Sequence, residues 1–125
     1  MNTRRHAVRD ACRDYHQAVA ERVLLDMARA IGLPAWQLFT LKPRTTRVRR
    51  ARDLACWIAC QVADCGPQAK GIAAAFGTWP SRTGHKFRDA GKRIDAGDRT
   101  TLATLRVFFA ASAGRYDGVA GRVAA

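Results

Sequence analysis

Acidic side chains are scarce in this chain: 10 aspartates and glutamates face 22 lysines and arginines, a formal charge of +12 over 125 residues. That excess is costly in self-repulsion unless an anionic partner offsets it, which puts nucleic acid first among partners and an anionic membrane surface second. Long apolar runs are missing as well. None approaches the ~20 residues of a membrane span. The N-terminus has charge without the apolar region and small-residue cleavage site of a secretory signal, so a cytoplasmic, nucleoid-associated location is expected. Strand signals are nearly absent, and alanine supplies much of the 48% hydrophobic share. The length and pattern predict an all-α protein with one small, helix-made core.

Sites for metal or catalysis are lacking too. Cys12, Cys56, Cys60 and Cys65 read as reduced thiols. A zinc site calls for a second close pair of cysteines or histidines, and His85 is too isolated to complete one. No metal and no cofactor is expected. His6 and His16 are equally scattered, no carboxylates are paired and no cysteine has an evident base partner, so no enzyme is expected. No run of glycines ends in Lys-Ser or Lys-Thr, which removes a nucleotide-binding phosphate loop.

Helical periodicity organises what is there. Val8, Cys12, Tyr15, Val19, Val23, Met27 and Ile31 step by three or four without an intervening proline or glycine, predicting one long amphipathic helix from Arg5 to about Ala30. Gly32-Leu33-Pro34 ends it. Ala35 to Phe39 forms a short turn of helix with Trp36, Leu38 and Phe39 as core plugs. The basic segment 40–52 follows, with Lys42, Arg44, Arg47, Arg49, Arg50 and Arg52 uninterrupted by an acid before Asp53. From Lys42 to Arg52, Val48 is the only sizeable apolar residue, which leaves no face for membrane insertion. It leads into a helix that starts at Val48 or Ala51 and buries Leu54, Ala55, Ile58, Ala59 and Val62 before Ala63. A shorter helix holds Ala69, Ile72, Ala73 and Phe76 between Gly66-Pro67 and Gly77.

After a loop through Thr78, Trp79 and Pro80 comes the most informative stretch, a basic helix over 83–95 capped by Ser81 or Thr83. Phe87, Ala90, Gly91 and Ile94 share one face at i, i+3, i+4 and i+7, and His85, Arg88, Asp89 and Lys92 repeat that spacing opposite, flanked by Arg82, Lys86 and Arg93. One side packs into a core and the other can reach a polyanion. Two short helices across a glycine-containing turn, the second basic, are the pattern of helix-turn-helix DNA binding. Gly97 closes the basic helix, and Asp98 caps a last helix with Leu102, Leu105, Val107, Phe108 and Phe109. The expected organisation is therefore 1–22 as the start of the long helix, 23–97 as a DNA-binding domain, 98–113 as a C-terminal helix and 114–125 as a flexible tail.

Residues 23–94 resemble the C-terminal DNA-binding domain of the bacterial chromosomal replication initiator DnaA. Ile31-Gly32-Leu33-Pro34-Ala35-Trp36-Gln37-Leu38-Phe39 is similar to the exit of that family's first helix. The arginine-rich segment with Ala51-Arg52-Asp53-Leu54-Ala55-Cys56-Trp57-Ile58-Ala59 is similar to its basic loop and "arginine, glutamine, two apolars" helix. Ile72-Ala73-Ala74-Ala75-Phe76-Gly77 and Lys92-Arg93-Ile94 match further stretches. The family's signature Gly-Gly-Arg-Asp-His-Thr-Thr-Val departs here to Gly77-Thr78-Trp79-Pro80-Ser81-Arg82-Thr83-Gly84-His85-Lys86-Phe87, with a longer turn and only Arg82 on its counterpart. The resemblance implies a retained docking apparatus, changed base readers and a module that stands without the initiator's ATPase.

The expected function is sequence-specific binding of double-stranded DNA by a small bacterial or prophage transcriptional regulator, with helix 83–95 in the major groove. Thr83, His85, Lys86, Arg88 and Asp89 are the expected base contacts. Lys42, Arg44, Arg47, Arg49, Arg50, Arg52, Arg82, Lys92 and Arg93 are expected on the backbone or in the minor groove. The alternatives are an accessory factor at a replication origin, or a regulator that docks on transcription or replication machinery. A partner protein or second copy would meet the first helix or the Phe108-Phe109 helix.

Overall fold

The computed structural model describes residues 3–124 and is all-helical among them: α1 (Thr3–Ile31), α2 (Ala35–Phe39), α3 (Thr46–Ala63), α4 (Lys70–Ala75), α5 (Pro80–Asp95), α6 (Arg99–Ala111) and α7 (Asp117–Ala124). The second half of α1 and the whole of α3 form the centre. Val23, Leu24 and Met27 of α1 meet Leu54, Ala55, Ile58 and Ala59 of α3, with Ile72, Phe76, Leu105 and Phe108 closing the core. The first half of α1 is different. Residues 3–15 are exposed throughout, so the apolar stripe Val8, Cys12 and Tyr15 continues past the core as an exposed stripe.

Local chemistry accounts for the helix ends. Gly32 takes φ +73, and the Leu33 N–H donates to the Ala28 carbonyl at 2.9 Å, a left-handed close that forces the chain off α1. Pro34 then opens α2. Only Leu38 of α2 is buried; Phe39 is half-buried and Trp36 is 67% exposed, which corrects the expectation that Trp36 plugs the core. A five-residue helix has one inward phase, and Leu38 occupies it.

The basic segment is less of a loop than its composition predicts. Thr45 caps α3, its Oγ1 accepting the Val48 N–H at 3.2 Å, so Arg47, Arg49, Arg50 and Arg52 all lie on the helix and only Lys42 and Arg44 remain in the loop. Asp98 caps α6 as its sequence position predicts, accepting the Thr101 N–H at 3.0 Å and the Thr101 hydroxyl at 2.7 Å.

The expected flexible tail folds instead. Residues 117–124 form α7, and the preceding Tyr116 is buried against Phe108 with ring centroids 4.9 Å apart. Its hydroxyl donates to Asp26 Oδ2 at 2.6 Å, and Arg115 Nη1 donates to the same oxygen at 2.7 Å. Glycine and alanine conceal this in the sequence, because a few residues scattered among them anchor the end: Tyr116 and Arg115 on Asp26, the buried Val119, and Arg122, whose Nη1 donates to Gln61 Oε1 at 2.8 Å. The partner surface expected on α6 is also altered: Phe108 is fully buried and Phe109 packs on the core, leaving Val107 exposed.

Candidate nucleic-acid interface

Small residues set how α5 sits. Gly84 and Ala90 are buried, while Phe87, Gly91 and Ile94 are half-buried toward α3 and the core. Opposite them, Arg82, His85, Arg88, Asp89 and Lys92 are exposed along about 15 Å of helix, at 1.5 Å per residue. Among the described residues, no ion pair engages Arg82, Arg88 or Lys92. Their charge is free for an anion.

The helix begins earlier than its sequence suggests. Pro80 is its first residue and Trp79 its N-cap, without a side-chain cap bond, so neither Ser81 nor Thr83 caps it. Proline suits the first helical position because its missing N–H would be unpaired there anyway. The turn from α4 therefore runs over residues 76–79 and closes at Trp79; Gly77 takes φ +62 within it. Ser81 and Arg82 join the exposed first turn, a placement that Pro80 signals in the sequence.

Thr83 is not a base contact. It is fully buried, its Oγ1 lying 2.5 Å from the Pro67 carbonyl oxygen and 2.9 Å from that of Pro80, where it ties the start of α5 to the α3–α4 connection. Arg52 is not a phosphate contact either. It falls on the inward phase of α3 with Val48, Ala55 and Ala59, and is 1% exposed. Its Nη1 donates to the Leu38 carbonyl at 2.7 Å and its Nη2 to the Phe76 carbonyl at 3.1 Å, with the guanidinium over the Phe76 ring. One arginine thus joins the ends of α2 and α4. Burial lowers its pKa, while the neighbouring Asp53 carboxylate favours the charged form.

Asp53 is the site residue that a reading for cations misses. It is buried, 3.1 Å from Arg93 Nη1 and 3.9 Å from Lys86 Nζ. Burial pushes its pKa up, opposed by the Arg93 hydrogen bond and the Lys86 charge. Burial likewise lowers the Lys86 pKa, reinforced by Arg52 and opposed by Asp53. Lys86 and Arg93 are accordingly half-buried and aimed at the α3–α5 seam, unlike the exposed His85 and Arg88.

On α3 and the loop before it, Lys42, Arg44, Arg47, Arg49 and Arg50 are exposed. Arg47 Nη2 donates to the last carbonyl of α1, at Ile31, at 2.6 Å. No ion pair engages the other four among the described residues. Of the thiols, Cys56 and Cys60 are buried and Cys65 half-buried. The Cys56 contact and burial push Cys60 up, and burial raises Cys65 to about 11, so both stay protonated near neutrality. Among the described residues no group of three His, Cys, Asp or Glu side chains could hold a metal ion, and no helix is long and apolar enough to cross a membrane. Comparison with known protein families, characterised proteins and solved structures finds no match to this chain.

Proposed function

We propose that this protein binds double-stranded DNA in a sequence-dependent way, with α5 in the major groove. The observation that carries the reading is the division of α5: small residues packed against the body on one side, and Arg82, His85, Arg88, Asp89 and Lys92 exposed on the other. A groove ~12 Å wide admits such a helix. His85, Arg88 and Asp89 are the candidate base contacts, with Lys86 entering from the flank where Asp53 holds it. Arg82, Lys92 and Arg93, together with Lys42, Arg44, Arg47, Arg49 and Arg50, would bind phosphates. The net charge of +12 and the resemblance of residues 23–94 to the replication initiator's DNA-binding domain support the same reading.

The role that fits is a small bacterial or prophage regulator of transcription acting on the nucleoid. Mapping bound genomic sites distinguishes this from an accessory role in replication: promoter-proximal sites favour transcription, and a cluster at one origin favours replication. One observation favours a protein partner or second copy in addition. The first half of α1 leaves Val8 62% and Tyr15 54% exposed.

Binding of labelled duplexes over a range of ionic strengths tests the central proposal. Neutralising about six phosphates makes log K fall against log salt with a slope near −5. No affinity for duplex DNA at low ionic strength would overturn the reading.

A further inference from the structure

Trp79 stands at the lip of α5, and its indole is 74% exposed. The backbone beneath it is held on both sides. Its carbonyl accepts the Arg82 N–H at 2.9 Å and the Thr83 N–H at 3.2 Å, and Thr83 is itself anchored to the Pro67 carbonyl. Pro80 fixes the following φ. On the other side Gly77 takes φ +62, and the Leu41 side chain lies where a Cβ on Gly77 would point. A large apolar ring is thus presented from a rigid turn beside the face of α5 that is rich in cations. Little conformational freedom remains for it to lose on binding, since a tryptophan on a fixed backbone has only two side-chain torsions.

In the major groove, the apolar feature that base edges offer is the C5-methyl of thymine. An apolar wedge between base steps belongs to minor-groove binding, whereas Trp79 adjoins the helix assigned to the major groove. We infer that Trp79 is a specificity-determining residue whose indole packs on a thymine methyl at the edge of the sequence read by α5. This rests on the DNA-reading function proposed above.

A duplex enriched from a randomised pool by the native chain supplies the probe. Each of its thymines is replaced in turn by deoxyuridine, which deletes the methyl and nothing else. Binding of the native chain and of the Trp79→Ala, Trp79→Phe and Trp36→Ala variants is then measured by fluorescence anisotropy at fixed salt. At one thymine or two adjacent ones, methyl deletion should weaken the native chain about fourfold, the worth of one buried methyl. Trp79→Ala should bind the methylated and methyl-free duplexes equally, Trp79→Phe should restore most of the difference, and Trp36→Ala should behave as native. Because Trp79 is exposed, its variants should keep the native circular dichroism spectrum.

Independent losses from Trp79→Ala and methyl deletion at every thymine would overturn the assignment, as would an enriched duplex indifferent to all its methyls. Neither result would touch DNA reading by α5. Failure of any duplex to enrich would overturn the reading itself, and this inference with it.

Discussion

The carboxylate of Asp26 accepts the hydroxyl of Tyr116 at 2.6 Å across 90 positions of sequence. The bond binds the C-terminal segment to the last third of α1, and Arg115 and Arg22 pair with the same carboxylate. Burial raises the Asp26 pKa, but the hydrogen bonds from Tyr116 and Arg115 outweigh it and hold it below the ordinary aspartate value. The ionised group is the one the fold favours.

Tyr116→Phe should therefore destabilise the protein by about 2 kcal/mol, the scale of a buried hydrogen bond to a charged group. The unfolding midpoint should fall by roughly 5–10 °C. A carboxylate whose pKa is depressed on folding stabilises above its unfolded pKa and loses that contribution as pH falls through the folded value. The gap between native and Tyr116→Phe should thus narrow as acidification passes below the ordinary carboxylate range. Thermal unfolding of both chains between pH 7 and pH 3 checks this, and a gap that widens with acid would contradict it.

Gly71 predicts a contest between two effects. Alanine exceeds glycine in helix propensity by about 1 kcal/mol, which alone would stabilise α4. A Cβ at Gly71, however, would meet the Arg13 carbonyl oxygen and lie 2.7 Å from His16 Cβ and 2.9 Å from the Gln17 nitrogen. Two of these are backbone atoms of α1, and they cannot turn aside. Overpacking of this kind costs about 1–3 kcal/mol, so Gly71→Ala should lower the unfolding midpoint.

Legibility of the sequence followed the strength of local signals. Gly32-Leu33-Pro34 ended α1 and Asp98 opened α6 as their chemistry dictates, because breakers and caps act within a few residues. Arg52 was not legible as a buried residue, since a run of arginines reads as one solvated surface until the phase of α3 is known. Thr83 misled for a related reason. Thr83 lies four residues before Phe87 on the inward face, and a helix starting at Pro80 makes it part of that face rather than an exposed cap; Pro80 looks like loop when weighed as a breaker rather than as a first helical residue. The exposed His85, Arg88, Asp89 and Lys92 were legible because they lie in the part of α5 where the i, i+3, i+4 repeat is unbroken. Asp53 was hidden by its sign: a search for groups that bind an anion passes over the one acid that aims two of them.

Arg52 and Arg49 should separate cleanly, although both belong to one basic run. Arg49 is exposed and Arg52 joins two carbonyls from different helices. Arg52→Ala leaves those buried acceptors unpaired and opens a cavity, and should cost about 3 kcal/mol or more of stability. Arg49→Ala should leave the unfolding midpoint within about 1–2 °C while weakening all duplexes alike, with the salt slope shallower by about 1. Equal midpoints for the two variants would refute the division of labour.

Asp53 makes the sharpest distinction between affinity and selectivity. Its carboxylate holds Arg93 at 3.1 Å and Lys86 at 3.9 Å, and it is buried at some cost in desolvation. Asn at this position keeps the shape and one hydrogen-bond acceptor but gives up the charge. With Asp53→Asn Lys86 is freed to turn from the groove toward phosphate and one repulsive charge is removed, so affinity for random duplex should rise at low salt. The slope of log K against log salt should steepen by about 1, the step for Lys86 turning to phosphate. Preference for an enriched duplex over random sequence should fall, because Lys86 no longer enters the groove from a fixed direction. Stability runs the other way from a simple loss: a carboxylate whose pKa is raised on folding opposes folding above that pKa, and Asp53→Asn removes this opposition near neutral pH while breaking the pairs. A variant with unchanged salt slope and unchanged selectivity would show that Asp53 serves the α3–α5 seam alone.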